Sequence, residues 1–179
     1  IKESDPKIKK LLEEVKDREF IGYSYDGADA SFELLARRII AEIPRYISIK
    51  EYDVSVKKNK EDKIISKAKA KLEVDGEKII CEGEGNGPVH ALDNAIRNNV
   101  DKLDKYAEYL KDLKLVDYKV RILNTGTEAV TRVSIESTDS KGKNWFTIGV
   151  SPNIIEASFR ALVDSLDYKL FKDNAPASN

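Results

Sequence analysis

The sequence contains no methionine, one cysteine and one histidine in 179 residues. Because Cys81 is the only cysteine, an intrachain disulfide and any metal site built from several cysteines are excluded. Because His90 is the only histidine, paired-histidine zinc or iron sites cannot form within this chain. Redox chemistry and paired-histidine metal chemistry are therefore not expected.

The sequence also lacks a charge excess and a long apolar run. Its 31 basic residues are matched by 32 acidic ones, so there is no electrostatic footprint for a polyanion such as nucleic acid. No run of about 18 apolar residues could cross a membrane, and the first residues lack the apolar segment of a signal peptide. These absences predict a cytoplasmic protein that binds neither nucleic acid nor membranes.

What the sequence does contain is an internal repeat. Tyr52 and Tyr118 stand in similar strand-like segments 66 residues apart, and Pro88 and Pro152 follow similar glycine-containing turns 64 residues apart. Each segment leads through alternating apolar residues to a turn and then to a helical pattern of apolar residues. The pattern predicts an α+β fold with two pseudo-symmetric βββα units built on antiparallel sheets.

Two further helical patterns precede the repeat. The first runs over about residues 4–19, with Ser4 or Asp5 as the cap and Pro6 in the first turn. The second has an apolar stripe that reaches Ile43 and stops at Pro44. We interpret residues 1–43 as a helical linker subdomain, 44–173 as the main domain with repeats at 44–112 and 113–173, and 174–179 as a disordered tail.

The turn at residues 85–88 is the candidate binding feature. Unpaired N–H groups and the dipole at the start of the following helix favour an anion such as a carboxylate, and the second copy repeats the arrangement. The same residues also suit a tight strand-to-helix turn with Pro88 at the first helical position, and that interpretation stays open. The turn lacks the lysine and hydroxyl residue of a phosphate-binding loop.

Four ordered motifs, which together span nearly the whole chain, resemble a known family. They are residues 22–35, 85–92, 115–121 and 153–158, and they are similar to the C-terminal part of the citramalate synthases, a sister family of the 2-isopropylmalate synthases. The resemblance implies the regulatory region of an acyltransferase that condenses acetyl-CoA with an α-keto acid. The catalytic (β/α)₈ barrel, its divalent metal and its acetyl-CoA site are expected upstream, so this part alone is expected to be inactive and to hold no cofactor.

The resemblance also implies a homodimer that binds an end-product amino acid, isoleucine, and transmits inhibition to the barrel of the same polypeptide. Carried over position by position, the ligand-binding residues are Gly85, Gly87, Val89, His90, Leu115, Tyr118, Ile122, Thr127, Thr131, Pro152 and Ile154. Helix amides are expected to hold the α-carboxylate, and aliphatic side chains to hold the ligand's hydrocarbon part.

Two alternatives remain open at this point. The chain resembles the 2-isopropylmalate synthases as well, for which leucine is the expected effector. Leucine and isoleucine differ in the position of one methyl group, which an apolar pocket distinguishes by only about 1–3 kcal/mol. The chain could also be a dimerisation module that binds no ligand.

Overall fold

The computed structural model describes residues 5–41, 43–123 and 129–179. The elements, in chain order, are α1 (Pro6–Phe20), α2 (Asp29–Ile40), β1 (Ser48–Lys58), β2 (Ile64–Val74), β3 (Glu77–Gly85), α3 (Pro88–Arg97), a 3₁₀ segment (Val100–Tyr106), α4 (Ala107–Leu110), β4 (Lys114–Ile122), β5 (Thr131–Thr138), β6 (Asn144–Ser151) and α5 (Ile154–Lys172). The predicted α+β class, with two helices before two βββα repeats, is confirmed.

Contacts within the chain define two compact units. Among the described residues, unit one contains those up to Ile43 together with Lys114–Tyr168, and unit two contains Pro44–Leu113 and Lys169–Asn179. The sequence pattern predicted a separate linker subdomain for α1 and α2. In the structure, the contacts of these two helices place them in the same unit as the second repeat. The physical reason is that α2 packs along strand β6, as described below.

Both sheets are antiparallel meanders, ordered β1-β2-β3 and β4-β5-β6. The register of the first two strands shifts between Ile49 and Glu51 in one sheet and between Leu115 and Asp117 in the other. These two irregularities lie 66 residues apart, the same spacing as the tyrosines that first indicated the repeat. The duplication therefore extends to the backbone irregularities and not only to the order of the elements.

The core of unit two lies between its sheet and α3. Strand β2 alternates strictly, so that Ala68, Ala70, Leu72 and Val74 are buried while the lysines between them face away. Residues on one side of α3 pack over this surface at helical spacing, namely Ala91, Leu92, Ala95 and Ile96. The predicted inward face of this helix is confirmed.

Side chains cover the outer edge of β3. Asn94 donates to the carbonyl of Glu84 at 2.8 Å, and Asn99 donates to the carbonyl of Glu82 at 2.9 Å. An edge strand with unpaired backbone groups invites association with other strands, and such contacts remove part of that exposure.

The apolar spacing predicts one continuous helix from Pro88 to Leu110, and the structure shows an interruption instead. Helix α3 ends at Arg97, and the chain continues through the 3₁₀ segment into the short α4. The side chain of Asn99 donates to the carbonyl of Ala95 at 2.8 Å, which offers the backbone an alternative to the next helical turn. Asp104 takes a positive φ of 47°, so the helix cannot continue through it.

Unit one is built on the same plan, with α5 against one face of its sheet. The hydroxyl of Thr147 donates to the carbonyl of Ala161 at 2.8 Å, and the hydroxyls of Ser137 and Ser165 lie 2.6 Å apart. Helix and strand approach so closely that a Cβ on Gly149 would stand 1.9 Å from the carbonyl oxygen of Ala157. Glycine is required at this position because the neighbouring atoms are backbone.

The other face and the edge of this sheet are covered by α2 and the segment before it. Tyr23 and Ala28 form a small apolar cluster with Ile148 and Val150 of β6. The backbone N–H of Ile148 also donates to the hydroxyl of Ser31 at 3.0 Å, so α2 supplies a partner to the edge strand. Helix α2 ends at Ile40 rather than reaching Ile43, because Ala41 is extended with φ −134° and ψ 143°.

Residues 174–179, for which the composition predicts disorder, make defined contacts within unit two. Ala175 is buried, and the hydroxyl of Tyr106 donates to the carbonyl of Pro176 at 2.9 Å. The backbone N–H of Asn179 donates to the carboxylate of Asp75 at 2.7 Å, and Lys105 forms an ion pair with the same carboxylate. These contacts lower the pKa of Asp75, with the Lys105 hydrogen bond as the largest cause.

Candidate functional site

The turn between β3 and α3 is formed by a close approach of strand and helix. A Cβ on Gly85 would stand 2.6 Å from the backbone nitrogen of Ala91, so any larger residue would push the helix away. None of the glycines in this turn has a positive φ. Glycine is therefore required at Gly85 because there is no room for a Cβ, and not because of its backbone conformation.

Gly87 has no such requirement. Its backbone is extended at φ −152°, and nothing lies within 4 Å of a Cβ built on it. It is the N-cap residue of α3, where Ser, Thr, Asp and Asn are strongly preferred because their side chains accept hydrogen bonds from the next amides. No side chain caps α3, so the N–H groups of Val89 and His90 at this end stay open to an external acceptor.

His90 closes one side of the same turn. Its Nδ1 accepts a hydrogen bond from the backbone N–H of Asn86 at 3.4 Å.

The corresponding turn in unit one is different. Helix α5 begins at Ile154, so Pro152 precedes it and does not stand in its first turn. The side chain of Asn153 accepts from the backbone N–H groups of Ile155 at 2.8 Å and Glu156 at 3.3 Å. The expectation of open helix amides in both copies is thus wrong for the second copy, where a residue of the chain already occupies them.

Four of the predicted residues, Ile122, Thr131, Pro152 and Ile154, lie near this second turn. Strand register places Ile122, Thr131 and Ser151 in one row across the sheet, next to Pro152 and Ile154. The side chain of Ile122 is 70% exposed. Thr127 lies outside the described residues, so its place relative to this row is not part of the structure.

Tyr118 and Leu115 lie farther along β4. The hydroxyl of Tyr118 is 2.9 Å from that of Ser158 on α5, and burial raises its pKa. Leu115 stands seven residues from Ile122, which at about 3.3 Å per residue separates their backbones by roughly 23 Å. Within one protomer, a single amino acid cannot contact both.

The sequence analysis missed a cluster of polar side chains between α2 and α5 in unit one. Arg38 forms ion pairs with Asp164 at 3.2 Å and with Asp167 at 2.9 Å, and the hydroxyl of Ser31 donates to Asp164 at 2.8 Å. The signal in the sequence was the presence of two aspartates, three residues apart, among the apolar residues of α5. We call Ser31, Arg38, Asp164 and Asp167 the α2–α5 cluster.

Burial dominates the electrostatics of this cluster. It raises the pKa of Asp164, although Arg38 and Ser31 act in the opposite direction. It raises the pKa of Asp167 to about 7, because Arg38 only partly offsets the loss of hydration and the charge of Asp164 adds to the effect. With a pKa of about 7, roughly half of the Asp167 carboxyl groups are protonated at neutral pH.

The outer face of the unit two sheet carries an open groove of about 700 Å³. Its charged residues alternate in sign across the strands, with Lys67 paired to Glu84 and Lys69 paired to Glu82 at 3.1 Å. With Asp53 of β1 included, the lining carries three acidic and two basic side chains, so the groove offers no positive potential for an anion. Lysines on a sheet surface disfavour association with other strands.

The described residues offer no group of three His, Cys, Asp or Glu side chains that could hold a metal ion. Within the same residues, no helix is long and apolar enough to cross a membrane. Cys81 is buried, and burial raises the pKa of its thiol, which makes it a poor nucleophile.

The described residues thus form two βββα repeats, and the helix start is uncapped in the first repeat and capped by a side chain in the second. Comparison with known families identifies the class of domain. A family model described as the LeuA allosteric (dimerisation) domain matches residues 26–170. The chain belongs to this family.

Individual relatives are longer proteins. The (R)-citramalate synthase of Aquifex aeolicus is 45% identical over 171 residues, which cover 94% of this chain and 32% of that protein. The (R)-citramalate synthase of Geobacter sulfurreducens is 44% identical with the same coverage. The 2-isopropylmalate synthase of Clostridium acetobutylicum is 35% identical over 127 residues, which cover 69% of this chain and 21% of that protein.

The chain therefore spans about a third of the length of the citramalate synthases it matches. The resemblance drawn from the four motifs is confirmed. The chain is a regulatory and dimerisation domain of the citramalate synthase and 2-isopropylmalate synthase family.

Proposed function

We propose that this chain is the feedback-regulatory domain of an acyltransferase of the citramalate synthase type, and that it binds isoleucine. The observation that carries the proposal is the uncapped start of α3 at Gly87. Two open amides and the positive end of the helix dipole form a site for a carboxylate, and Val89 beside them supplies apolar surface.

The remaining residues of the predicted site enter the proposal through the family resemblance alone. They are Leu115, Tyr118, Ile122, Thr127, Thr131, Pro152 and Ile154. The exposed side chains of Ile122 and Ile154 are consistent with an apolar contact surface in unit one. Their contact with the same ligand stays a prediction.

The proposal includes a homodimer and a catalytic barrel in the same polypeptide. Val56 of β1 and Val120 of β4 stand on the helix-facing sides of their sheets, yet their side chains are 56% and 38% exposed. Apolar residues at such positions are consistent with burial by a second copy. The citramalate synthase relatives, about three times as long as the matched region, support a further domain that carries out the acyl transfer from acetyl-CoA on a divalent metal.

Calorimetric titration of the chain tests ligand binding. We expect heat with isoleucine and none with isoleucinol, which keeps the side chain and the ammonium but lacks the carboxylate. A response to isoleucinol equal to that for isoleucine would contradict the proposed role of the α3 amides.

The titration also separates the alternatives. Stronger binding of leucine than isoleucine would favour the 2-isopropylmalate synthase type, which the Clostridium acetobutylicum relative supports. Absence of heat with isoleucine, leucine and valine, together with a dimer in sedimentation velocity, would identify a dimerisation module without an amino acid ligand.

A further inference from the structure

We infer that the α2–α5 cluster is a proton-dependent latch, in which one proton on the pair of carboxyl groups of Asp164 and Asp167 keeps α2 docked on α5. This role goes beyond ligand binding and is independent of which amino acid the domain binds. It rests on the geometry of four side chains in unit one and on their burial.

The cluster is a continuous chain of hydrogen bonds from the sheet to the helix surface. The backbone N–H of Ile148 donates to Ser31, the hydroxyl of Ser31 donates to Asp164, and the guanidinium of Arg38 joins Asp164 to Asp167. Both Ser31 and Arg38 belong to α2, and both carboxylates belong to α5. The position of α2 thus depends directly on the charge state of α5.

The charges of the cluster balance only when one carboxyl group is protonated. One guanidinium neutralises one carboxylate, and the side chains of Asp164 and Asp167 are only 19% and 18% exposed. A second ionised carboxylate would leave a partly buried net negative charge, which is costly without a partner. Opening of the α2–α5 contact would hydrate that charge, so ionisation favours the undocked helix.

Other groups near the cluster do not supply the missing positive charge. Arg18 of α1 acts on Asp164 at longer range, but its guanidinium is already paired with Glu14 at 2.6 Å. The hydroxyl of Tyr25 is buried nearby, and burial raises its pKa to about 12, so it stays neutral. On the remaining side, Tyr168 donates to Glu33 at 3.3 Å, and Glu33 is also paired with Arg37.

The sign of the pH dependence follows from these contacts. Asp167 has a pKa of about 7 when docked, against about 3.9 for a hydrated aspartate. The docked state therefore holds a proton that the undocked state releases, so docking weakens as the pH rises from about 4 to about 7 and changes little above that range. For these two values the equilibrium constant for undocking increases about tenfold between pH 6 and pH 8.

Amide hydrogen exchange of α2, corrected for the intrinsic exchange rate, measures this constant. We expect a tenfold rise in opening between pH 6 and pH 8 in the unmodified chain and less than a twofold rise in Asp167→Asn. Asp117→Asn is the matched control, because Asp117 is a partly exposed aspartate of β4 that is paired with Lys119 of the same strand, away from the α2–α5 cluster, and it should keep the tenfold rise. Opening that is independent of pH in the unmodified chain, or an unchanged rise in Asp167→Asn, would overturn the inference.

A direct titration does not depend on any variant. Carbon-detected NMR of the aspartate carboxyl groups should show one resonance with a midpoint near pH 7. If every aspartate titrates below pH 5, neither carboxyl group of the cluster holds a proton at neutral pH and the latch is refuted.

Discussion

Replacement of Gly87 by aspartate separates the stability of the domain from its proposed ligand binding. Gly87 is the uncapped N-cap residue of α3, its backbone is extended, and nothing lies within 4 Å of the added Cβ. Aspartate is among the best N-cap residues, and its carboxylate would accept from the same amides that we assign to the ligand. The variant should therefore be more stable and less able to bind.

The magnitudes of the two effects differ. Aspartate in place of glycine at an N-cap is worth a few tenths of a kcal/mol, and a negative charge at a helix start adds about 0.3–1 kcal/mol. For a chain of this length the sum raises the melting temperature by about 2 °C. The loss of two hydrogen bonds to a charged carboxylate costs the ligand at least about 3 kcal/mol, or roughly 100-fold in affinity.

Differential scanning calorimetry and isothermal titration with isoleucine measure the two effects on the same sample. Gly87→Ala is the matched control: it adds a Cβ but no acceptor, so it should lose about 1 kcal/mol of stability and keep its ligand affinity. In the full-length acyltransferase that we propose, Gly87→Asp should leave turnover intact and remove inhibition. A Gly87→Asp variant that is stabilised yet binds isoleucine with unchanged affinity would refute the assignment of the α3 amides.

Two further predictions concern the packing of each unit. Gly149→Ala should destabilise unit one by about 3 kcal/mol, because the added Cβ would overlap the backbone of Ala157. Urea unfolding measures this loss. A midpoint close to that of the unmodified chain would contradict the close approach of β6 and α5 at Gly149. Leu92→Ala should destabilise unit two by about 3 kcal/mol, because Leu92 is fully buried. Phe20→Ala is the control, since that side chain is 93% exposed, and it should change the urea unfolding midpoint by less than the equivalent of about 0.5 kcal/mol.

Much of the fold could be predicted from the sequence because local pattern and tertiary packing agree. Strict alternation along β2 and the helical spacing of Ala91, Leu92, Ala95 and Ile96 both place the same residues in the core. The interruption after Arg97 could not be predicted, since apolar spacing continues through it. There the side chain of Asn99, whose partners come from β3 and α3, decides the local structure.

The candidate site shows a similar limit. Sequence similarity between the two turns predicted the same chemistry at both, yet a side chain caps one helix start and not the other. Whether a helix amide is open depends on whether a side chain two or three residues earlier accepts its hydrogen bond, as Asn153 does, and composition does not show this. The α2–α5 cluster was not predicted either, because its hydrogen bonds join residues far apart in the chain: Ser31 and Asp164 are separated by 133 residues.

The difference between the two turns has a consequence for stoichiometry. A duplicated fold suggests two equivalent receptors, but Asn153 occupies the amides of α5 in the way that a ligand carboxylate would, while Gly87 leaves those of α3 vacant. If the proposed site is correct, saturation should therefore come at one equivalent of amino acid per polypeptide. In the second repeat, the side chain of Asn153 stands where the proposed ligand carboxylate would bind in the first.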